Sequence, residues 1–304
     1  MQWKGVMPAM TTPFDSSFNI DFAFAARHAR WLQANGCTGI VCLGSLGEAA
    51  TLGFDEKLQL VRTVVAAVSP SIPVVGAVSA LSTAEAVSLA KTLADAGAEG
   101  LMILPPYVYQ GDWREMKAHL TAIFKATSLP AMLYNNPVSY GTDFIPEQIA
   151  ELADEFESLQ AVKESSSDIR RVTAIRGLRG DRLAILVGVD DAIVEGIEAG
   201  AVGWIAGLVN ALPRESVELF DRARDGNKGA FELYRWFLPL LRMDTVPKFV
   251  QLIKQVQEEC GVGSARVRAP RLALAGAELS GAQAIIEEAL RHRVPSVPRS
   301  SALQ

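Results

Sequence analysis

Two kinds of segment alternate along the chain, and their order predicts an α/β fold. Short runs that are almost entirely apolar end in Gly, Pro, Ser or Asn, and longer stretches follow in which apolar residues recur three and four positions apart. Continuous apolar runs are typical of parallel strands covered on both faces, and the longer spacing is typical of helices that bury one side. The eight apolar runs begin near Val6, Gly39, Pro73, Gly100, Pro130, Leu159, Leu183 and Gly203.

Eight strand-then-helix units in succession predict a (β/α)8 TIM barrel rather than a doubly wound sheet. A doubly wound dinucleotide-binding fold needs GxGxxG directly after its first strand, where this chain has TTPF. Helical spacing between the strands is clearest over residues 55–68, 83–96 and 112–127, and again from Pro213 to about Arg224.

A C-terminal helical appendage is predicted after the barrel, because the strand-like runs stop at residue 224. Residues 228–241, 245–259 and 276–291 have helical spacing. We therefore expect a catalytic barrel over residues 1–224 and a helical domain over residues 225–304. The last segment, HRVPSVPRSSALQ, holds two prolines and three serines and is expected to form a mobile tail.

Composition and charge narrow the possible functions. The chain has 304 residues, 49% of them apolar, which is enough to build a large core. Its 29 basic and 34 acidic residues leave a net charge of −5 without a basic stripe, which disfavours nucleic-acid binding. No apolar run approaches the roughly 18 residues of a membrane helix, and the first residues lack the layout of a signal peptide. We expect a cytoplasmic protein.

The three cysteines and three histidines predict neither a disulfide framework nor a metal site. No CxxC or HExxH motif is present, and the histidines lie far apart in segments with helical spacing. If the protein is an enzyme, we expect it to work without a metal, without a cofactor and without histidine as its base.

Lys163 is the most informative single residue. The active site of a TIM barrel lies at the C-terminal ends of the strands. Lys163 interrupts an apolar strand run, LQAVKES, whereas the other eight lysines lie near the N-terminus or in segments with helical spacing, where exposure is ordinary. A buried lysine lowers its pKa or finds an acidic partner. The residues alone leave two interpretations open: an amine that forms Schiff bases with carbonyl substrates, or a structural lysine paired with Glu164 or Glu48.

Two neighbouring segments add candidate groups. Tyr134 ends the fifth strand run in LYNNP, where its phenol is placed either to transfer protons or to plug the mouth of the barrel. GSLGE, which follows the second strand run, offers backbone N–H groups and the Ser45 hydroxyl to a carboxylate. Glycines also serve tight turns, so this turn alone does not establish an anion site.

Taken together, GSLGEAATL, YNNP and AVKESS resemble the motifs of the dihydrodipicolinate synthase and N-acetylneuraminate lyase superfamily. The resemblance runs from about residue 6 to residue 256. It implies a barrel with a C-terminal helical domain, usually tetrameric, that uses class I aldolase chemistry. By motif match it implies that Lys163 forms the Schiff base and that Tyr134 relays protons. The substrate-binding residues that it implies are Gly44, Ser45, Leu46, Tyr107, Asn135 and Ile205.

Three features of the synthase branch are altered in this chain. That branch usually has two threonines in the carboxylate turn and adjacent tyrosines after the fourth strand, the second completing a relay across a subunit interface. It also has an arginine soon after YN-x-P that binds the carboxylate of the aldehyde substrate. The corresponding residues here are Ser45 and Leu46, then Tyr107 and Val108, then Val138, Ser139 and Tyr140. The second tyrosine is therefore lost unless Tyr109 replaces it.

Within the superfamily, the chain is most similar to the branch of Δ1-pyrroline-4-hydroxy-2-carboxylate deaminases of hydroxyproline degradation. This resemblance implies that Lys163 opens a cyclic imine at C2, that C3 then loses a proton to an unidentified base, and that the C4 hydroxyl leaves as water. Hydrolysis would release ammonia and 2-oxoglutarate semialdehyde. Such a substrate has one carboxylate and needs no second arginine.

Other functions remain open. A pyruvate-dependent aldolase, a dehydratase of a 2-oxo sugar acid and a dihydrodipicolinate synthase-like enzyme would share Lys163 and Tyr134. A regulator that binds a 2-oxo acid without catalysis is the alternative outside the enzymes. The expected partners are a small-molecule substrate and further copies of the chain, as a dimer or tetramer, with neither nucleic acid nor membrane.

Overall fold

Eight parallel strands form one barrel-shaped sheet in the structure, a computed structural model that describes residues 1–294 and residue 303. The strands are β1 (Gly5–Pro8), β2 (Ile40–Cys42), β3 (Val74–Val78), β4 (Gly100–Ile103), β5 (Ala131–Asn135), β6 (Leu159–Glu164), β7 (Ala184–Val187) and β8 (Gly203–Ala206). From β2 to β8 each strand pairs with the next one in the sequence, and β1 pairs with β8. A parallel bridge between Ala9 and Val41 brings the β1 and β2 ends together. The predicted (β/α)8 TIM barrel is confirmed.

Helices follow the strands and cover the outside of the barrel. The described helices are α1 (Phe22–Ala34), α2 (Phe54–Val68), α3 (Thr83–Asp95), α4 (Trp113–Phe124), α5 (Pro137–Tyr140), α6 (Pro146–Glu155), α7 (Arg170–Arg179), α8 (Ile193–Glu198), α9 (Pro213–Arg224), α10 (Ala230–Leu241), α11 (Phe249–Glu259) and α12 (Gly276–Arg291). Local sequence fixes several of their starts. The Asp112 side chain accepts a hydrogen bond from the backbone N–H of Glu115 at 2.9 Å. The Glu115 carboxylate in turn accepts one from the backbone N–H of Asp112 at 3.0 Å.

The C-terminal helices pack on one another and against the mouth of the barrel. α10 contacts α9 and α12, and α11 contacts α12. The indole of Trp236 on α10 donates a hydrogen bond to the carbonyl of Ala289 on α12 at 2.8 Å. α11 begins at Phe249, four residues after the predicted start, because Pro247 interrupts the helical path. The division into two domains at residue 224 stays a prediction.

Two sequence-based expectations concern the ends of this description. Most of the predicted tail, residues 295–302 and 304, lies outside the described residues. Within the described part of the chain, the structure contains no helix with the length and apolar character needed to cross a membrane.

Candidate active site

The ends of β5 and β6 place Lys163 and Tyr134 side by side. The two residues are paired in the parallel register of these strands, and alternate residues of a strand face the same side. Both side chains line a cavity of about 400 Å³ at the C-terminal mouth of the barrel. Lys163 is 6% exposed, and its Nζ lies 4.1 Å from the centre of the Tyr134 ring.

The two acidic partners that the sequence left open for Lys163 are both engaged elsewhere. Glu164 accepts hydrogen bonds from Asn135 Nδ2 at 3.0 Å and from the backbone of Ser166 at 2.7 Å. Glu48 pairs with Lys254 at 2.5 Å. The structural alternative of Lys163 paired with either glutamate is therefore wrong for this fold.

Burial lowers the pKa of Lys163, and electrostatic interactions with Asp244, then with Tyr140 and Asp190, oppose the shift only in part. The cost of placing an ammonium inside the barrel favours the neutral amine. A neutral lysine amine is nucleophilic at pH values where an exposed lysine is protonated. The interior of the barrel thus favours the neutral, nucleophilic form of the Lys163 amine.

A glycine makes room for the lysine in the next strand along. Gly188 follows β7, and a Cβ built there would lie 2.6 Å from Lys163 Cε and 2.0 Å from Ser165 Oγ. Real Cβ atoms do not approach so closely, so a side chain at this position would displace Lys163 or Ser165. Sequence reasoning missed Gly188 because its effect depends on β6 and β7 being neighbours.

The turn after β2 presents Gly44, Ser45 and Leu46 to the cavity. Two residues with left-handed backbones bracket it, Leu43 at φ +67° and Glu48 at φ +55°. Non-glycine residues in this region are uncommon and cluster at functional turns. The turn therefore holds a shape in which the predicted substrate-binding groups face the same space as the Lys163 amine.

Tyr140 lies between this turn and Tyr134. The Ser45 and Tyr140 hydroxyls are hydrogen-bonded, and the Tyr140 ring meets the Tyr134 ring edge to face at 5.7 Å. Asn136 Nδ2 donates to the Tyr134 hydroxyl at 3.0 Å. Burial raises the pKa of Tyr134, and the hydrogen bond from Asn136 opposes that shift. Burial also raises the pKa of Tyr140, so both phenols are protonated near neutral pH.

Sequence reasoning missed the contribution of Tyr140, which it considered only as a position without arginine. The short helix α5 brings this residue back over the barrel, because the Asn136 side chain accepts the Ser139 N–H at 3.0 Å and Pro137 starts the turn. The sequence feature that could have identified this residue is an aromatic side chain, Tyr140, three positions after the proline that starts the turn, Pro137.

Tyr107, Tyr109 and Asn135 do not line the cavity in this chain. Tyr107 is 38% exposed, and the Tyr109 hydroxyl donates to the carboxylate of Glu115 at 2.9 Å on the surface. Asn135 is buried and holds the loop after β5, where its Oδ1 accepts the Phe144 N–H at 3.0 Å. Substrate contacts by Tyr107 and Asn135 stay predictions. Ile205 is buried in β8 and does line the cavity.

The C-terminal part of the chain supplies charged groups that sequence reasoning missed. Asp244 and Arg271 both line the cavity.

Asp190, after β7, accepts hydrogen bonds from Trp204 Nε1 at 2.9 Å and from the backbone N–H of Leu208 at 2.8 Å, and so fixes the segment that follows β8. Burial raises the pKa of Asp190 to about 6.

The expectation that every lysine except Lys163 is exposed is wrong for Lys254. Lys254 lies on α11, is 1% exposed and pairs with the fully buried Glu48. The pair ties the helix to the turn after β2. Sequence spacing missed it because the partner lies 206 residues away along the chain. Within the described residues, no group of three or more His, Cys, Asp or Glu side chains is arranged to hold a metal ion.

Comparisons with known proteins agree with this geometry. The model of the dihydrodipicolinate synthetase family matches residues 2–289. The chain is 32% identical over 291 residues to a 4-hydroxy-tetrahydrodipicolinate synthase of Bartonella quintana, which covers 95% of this chain and 97% of the relative. It is 31% identical over 270 residues to the enzyme of that name in Methanothrix thermoacetophila, with 88% and 90% covered. The crystal structure of dihydrodipicolinate synthase DapA-2 from Bacillus anthracis superimposes with a TM-score of 0.91 at 28% identity, covering 98% of this chain and all (100%) of that one.

Proposed function

The chain belongs to the dihydrodipicolinate synthetase family, and we propose that it is a lyase whose Lys163 forms a Schiff base with a small 2-oxo acid or its cyclic imine. One observation carries this proposal. Lys163 is buried at the wall of an open cavity, has a lowered pKa and lies 4.1 Å from the ring of Tyr134. A non-catalytic regulator has no need of a desolvated amine, which costs free energy to bury.

The residues around Lys163 divide the remaining work. The substrate carboxylate is placed at Gly44, Ser45 and Leu46, whose turn offers backbone N–H groups and a hydroxyl on one side of the cavity. Tyr134 stays protonated because of its burial, so it can give a proton to the oxygen or nitrogen bonded to C2, the carbon that Lys163 attacks, and recover it later. The Ser45–Tyr140 hydrogen bond lets that proton move within the same chain.

Our proposal for the substrate is Δ1-pyrroline-4-hydroxy-2-carboxylate, which the enzyme would dehydrate and deaminate. Lys163 attacks C2, and the bond between C2 and the ring nitrogen breaks, which leaves that nitrogen as an amine on C5. C3–H and the C4 hydroxyl then leave as water. Tautomerisation places an imine at C5, and water hydrolyses both imines, which releases ammonia and the semialdehyde and frees Lys163. The loop after β5 supports this choice, since Val138 and Ser139 line the cavity where a cation would be needed for a second carboxylate.

A dihydrodipicolinate synthase-like activity is the second candidate, and two observations favour it. The curated relatives reported above carry the name of that synthase, so the comparisons support this alternative better than the deaminase. Arg271 lines the cavity and supplies a guanidinium that the loop after β5 lacks. Because Arg271 lines the cavity, the absence of an arginine from the loop after β5 does not exclude a substrate with a second carboxylate.

A substrate panel separates the two candidates. With Δ1-pyrroline-4-hydroxy-2-carboxylate, we expect ammonia and a semialdehyde without pyruvate. Consumption of pyruvate together with a carboxylate-bearing aldehyde, without ammonia from the pyrroline, would instead establish the second candidate. Arg271→Gln sharpens the comparison, because it should weaken only a reaction whose substrate has a second carboxylate. A homo-oligomer also stays a prediction, for which light scattering gives the mass in solution.

A further inference from the structure

We propose that Asp244 is the acid–base residue that removes the proton from C3 of the Lys163-bound substrate and returns it to the departing C4 hydroxyl. The inference rests on the Schiff-base function proposed above and deepens it by naming the base at C3. Its support is geometric. Asp244 lines the same cavity as Lys163, and one of its carboxyl oxygens has no hydrogen-bond partner among the described residues.

Asp244 reaches the cavity from the turn between α10 and α11. A Cβ built on Gly207, directly after β8, would lie 2.1 Å from Asp244 Oδ1 and 2.9 Å from Oδ2. The carboxyl group therefore lies against the backbone at the C-terminal end of the barrel, and only glycine leaves room for it there. The fold brings a residue of the C-terminal helical region to the end of a strand where TIM barrels perform their chemistry.

The Oδ1 atom of Asp244 is buried and has no hydrogen-bond partner among the described residues. Its acidic neighbours are satisfied. Both carboxyl oxygens of Asp190 accept backbone N–H groups, and Asp191 faces Arg242 at 3.7 Å. Buried polar atoms are almost always paired, so an unpaired one in a cavity needs an explanation. A substrate group in the cavity is the partner that the geometry provides for.

Among the described residues that line the cavity, Asp244 is the only carboxylic acid. The Tyr134 hydroxyl is not available as a base near neutral pH, because burial raises its pKa and keeps it protonated. Burial and then the charge of Asp190 raise the pKa of Asp244, against the opposing charge of Lys163. A carboxylate whose pKa is raised is a stronger base than an ordinary carboxylate, and its protonated form can return the proton to a leaving group.

The step balances without an oxidant or reductant. The Asp244 carboxylate takes the C3 proton, and the C–H electron pair forms the C2–C3 double bond while the iminium nitrogen becomes neutral. The nitrogen lone pair then restores the iminium, a C3–C4 double bond forms and the C4–O bond breaks. Asp244 gives its proton to the leaving oxygen, so one water departs and the carboxylate is regenerated.

Exchange of the pyruvate methyl protons in D2O tests the proposal, since it needs the Schiff base and the C3 base but no leaving group. Wild-type protein, Asp244→Asn and Asp191→Asn are each examined for exchange by NMR and for borohydride trapping of pyruvate at Lys163. Asp191→Asn is the matched control, because it removes a neighbouring charge that does not line the cavity. We expect Asp244→Asn to keep the trapped adduct and to lose exchange by about 10²- to 10⁴-fold, with Asp191→Asn close to wild type.

An exchange rate in Asp244→Asn within about threefold of the wild-type rate would overturn the assignment. Loss of the trapped adduct in that variant would overturn it too, since Asp244 would then be needed for Schiff-base formation at Lys163. Asp244→Ala gives a second test, in which added formate should restore exchange if a carboxylate is needed as base. No restoration in a folded Ala variant counts against the proposal. Failure of the wild-type protein to trap pyruvate or the pyrroline substrate would instead refute the Schiff-base function itself, which keeps the two failures distinguishable.

Discussion

Replacing Tyr140 by phenylalanine removes the hydroxyl that is hydrogen-bonded to Ser45 beside the Tyr134 ring. Tyr140 bonds Ser45 directly and packs edge to face on Tyr134 at 5.7 Å, so the ring of phenylalanine keeps the packing while the hydroxyl is lost. The substitution therefore tests proton transfer separately from the shape of the site.

Two accounts of Tyr140 differ in magnitude. If its hydroxyl only holds Ser45 in place, the loss is that of one hydrogen bond, about 0.5–1.5 kcal/mol, which corresponds to about a twofold to tenfold change in rate. If it carries protons between Ser45 and Tyr134, the loss is that of an acid–base group, about 10²- to 10⁴-fold in kcat. We expect the larger effect, because Tyr140 bonds Ser45 through its hydroxyl and contacts Tyr134 through its ring, which places it between the proposed carboxylate turn and the proposed proton donor.

The assay is turnover of the best substrate from the panel, together with borohydride trapping. Tyr140→Phe should form the Lys163 adduct at a normal final level but turn over slowly. Tyr109→Phe is the matched control, since that hydroxyl bonds Glu115 at the surface and its loss should leave kcat unchanged. A kcat for Tyr140→Phe within tenfold of wild type, or equal losses in both variants, would refute the idea of a proton path inside one chain.

Two further predictions concern stability and pH. Lys254→Met leaves the fully buried Glu48 without its partner and should lower the free energy of unfolding by about 3–5 kcal/mol. Lys248→Met is the control, since it breaks an exposed ion pair and should lower the free energy of unfolding by about 0–1 kcal/mol. Similar urea midpoints for the two variants would contradict this prediction. Because burial lowers the pKa of Lys163, the rate of adduct formation should rise with pH and level off below the ordinary lysine pKa of 10.5. A rise that continues up to that value would show that the amine is not desolvated.

Much of the barrel was predictable because each strand is buried on both faces. Strands such as β3 and β7 are almost wholly apolar, and this leaves a continuous apolar run in the sequence. The same property exposed the catalytic candidate. A lysine within such a run, as in β6, has nowhere to go but the interior or its rim, so Lys163 could be identified from one strand alone.

The rest of the site depends on contacts between distant segments, and no local pattern encodes them. Asp244 enters the cavity only because the turn between α10 and α11 lies over the end of β8. Lys254 occupies an ordinary helical position whose burial follows from Glu48, 206 residues away. Substrate identity is harder still, since it depends on a few side chains such as Val138 and Arg271 that line the same cavity.

The most direct test of the account is covalent trapping at Lys163. The protein is incubated with pyruvate or Δ1-pyrroline-4-hydroxy-2-carboxylate, reduced with borohydride, digested and analysed by mass spectrometry. The account predicts one reduced adduct, located on the peptide that contains Lys163 and absent from Lys163→Ala. No adduct with either compound, or an adduct that persists in Lys163→Ala, would contradict it.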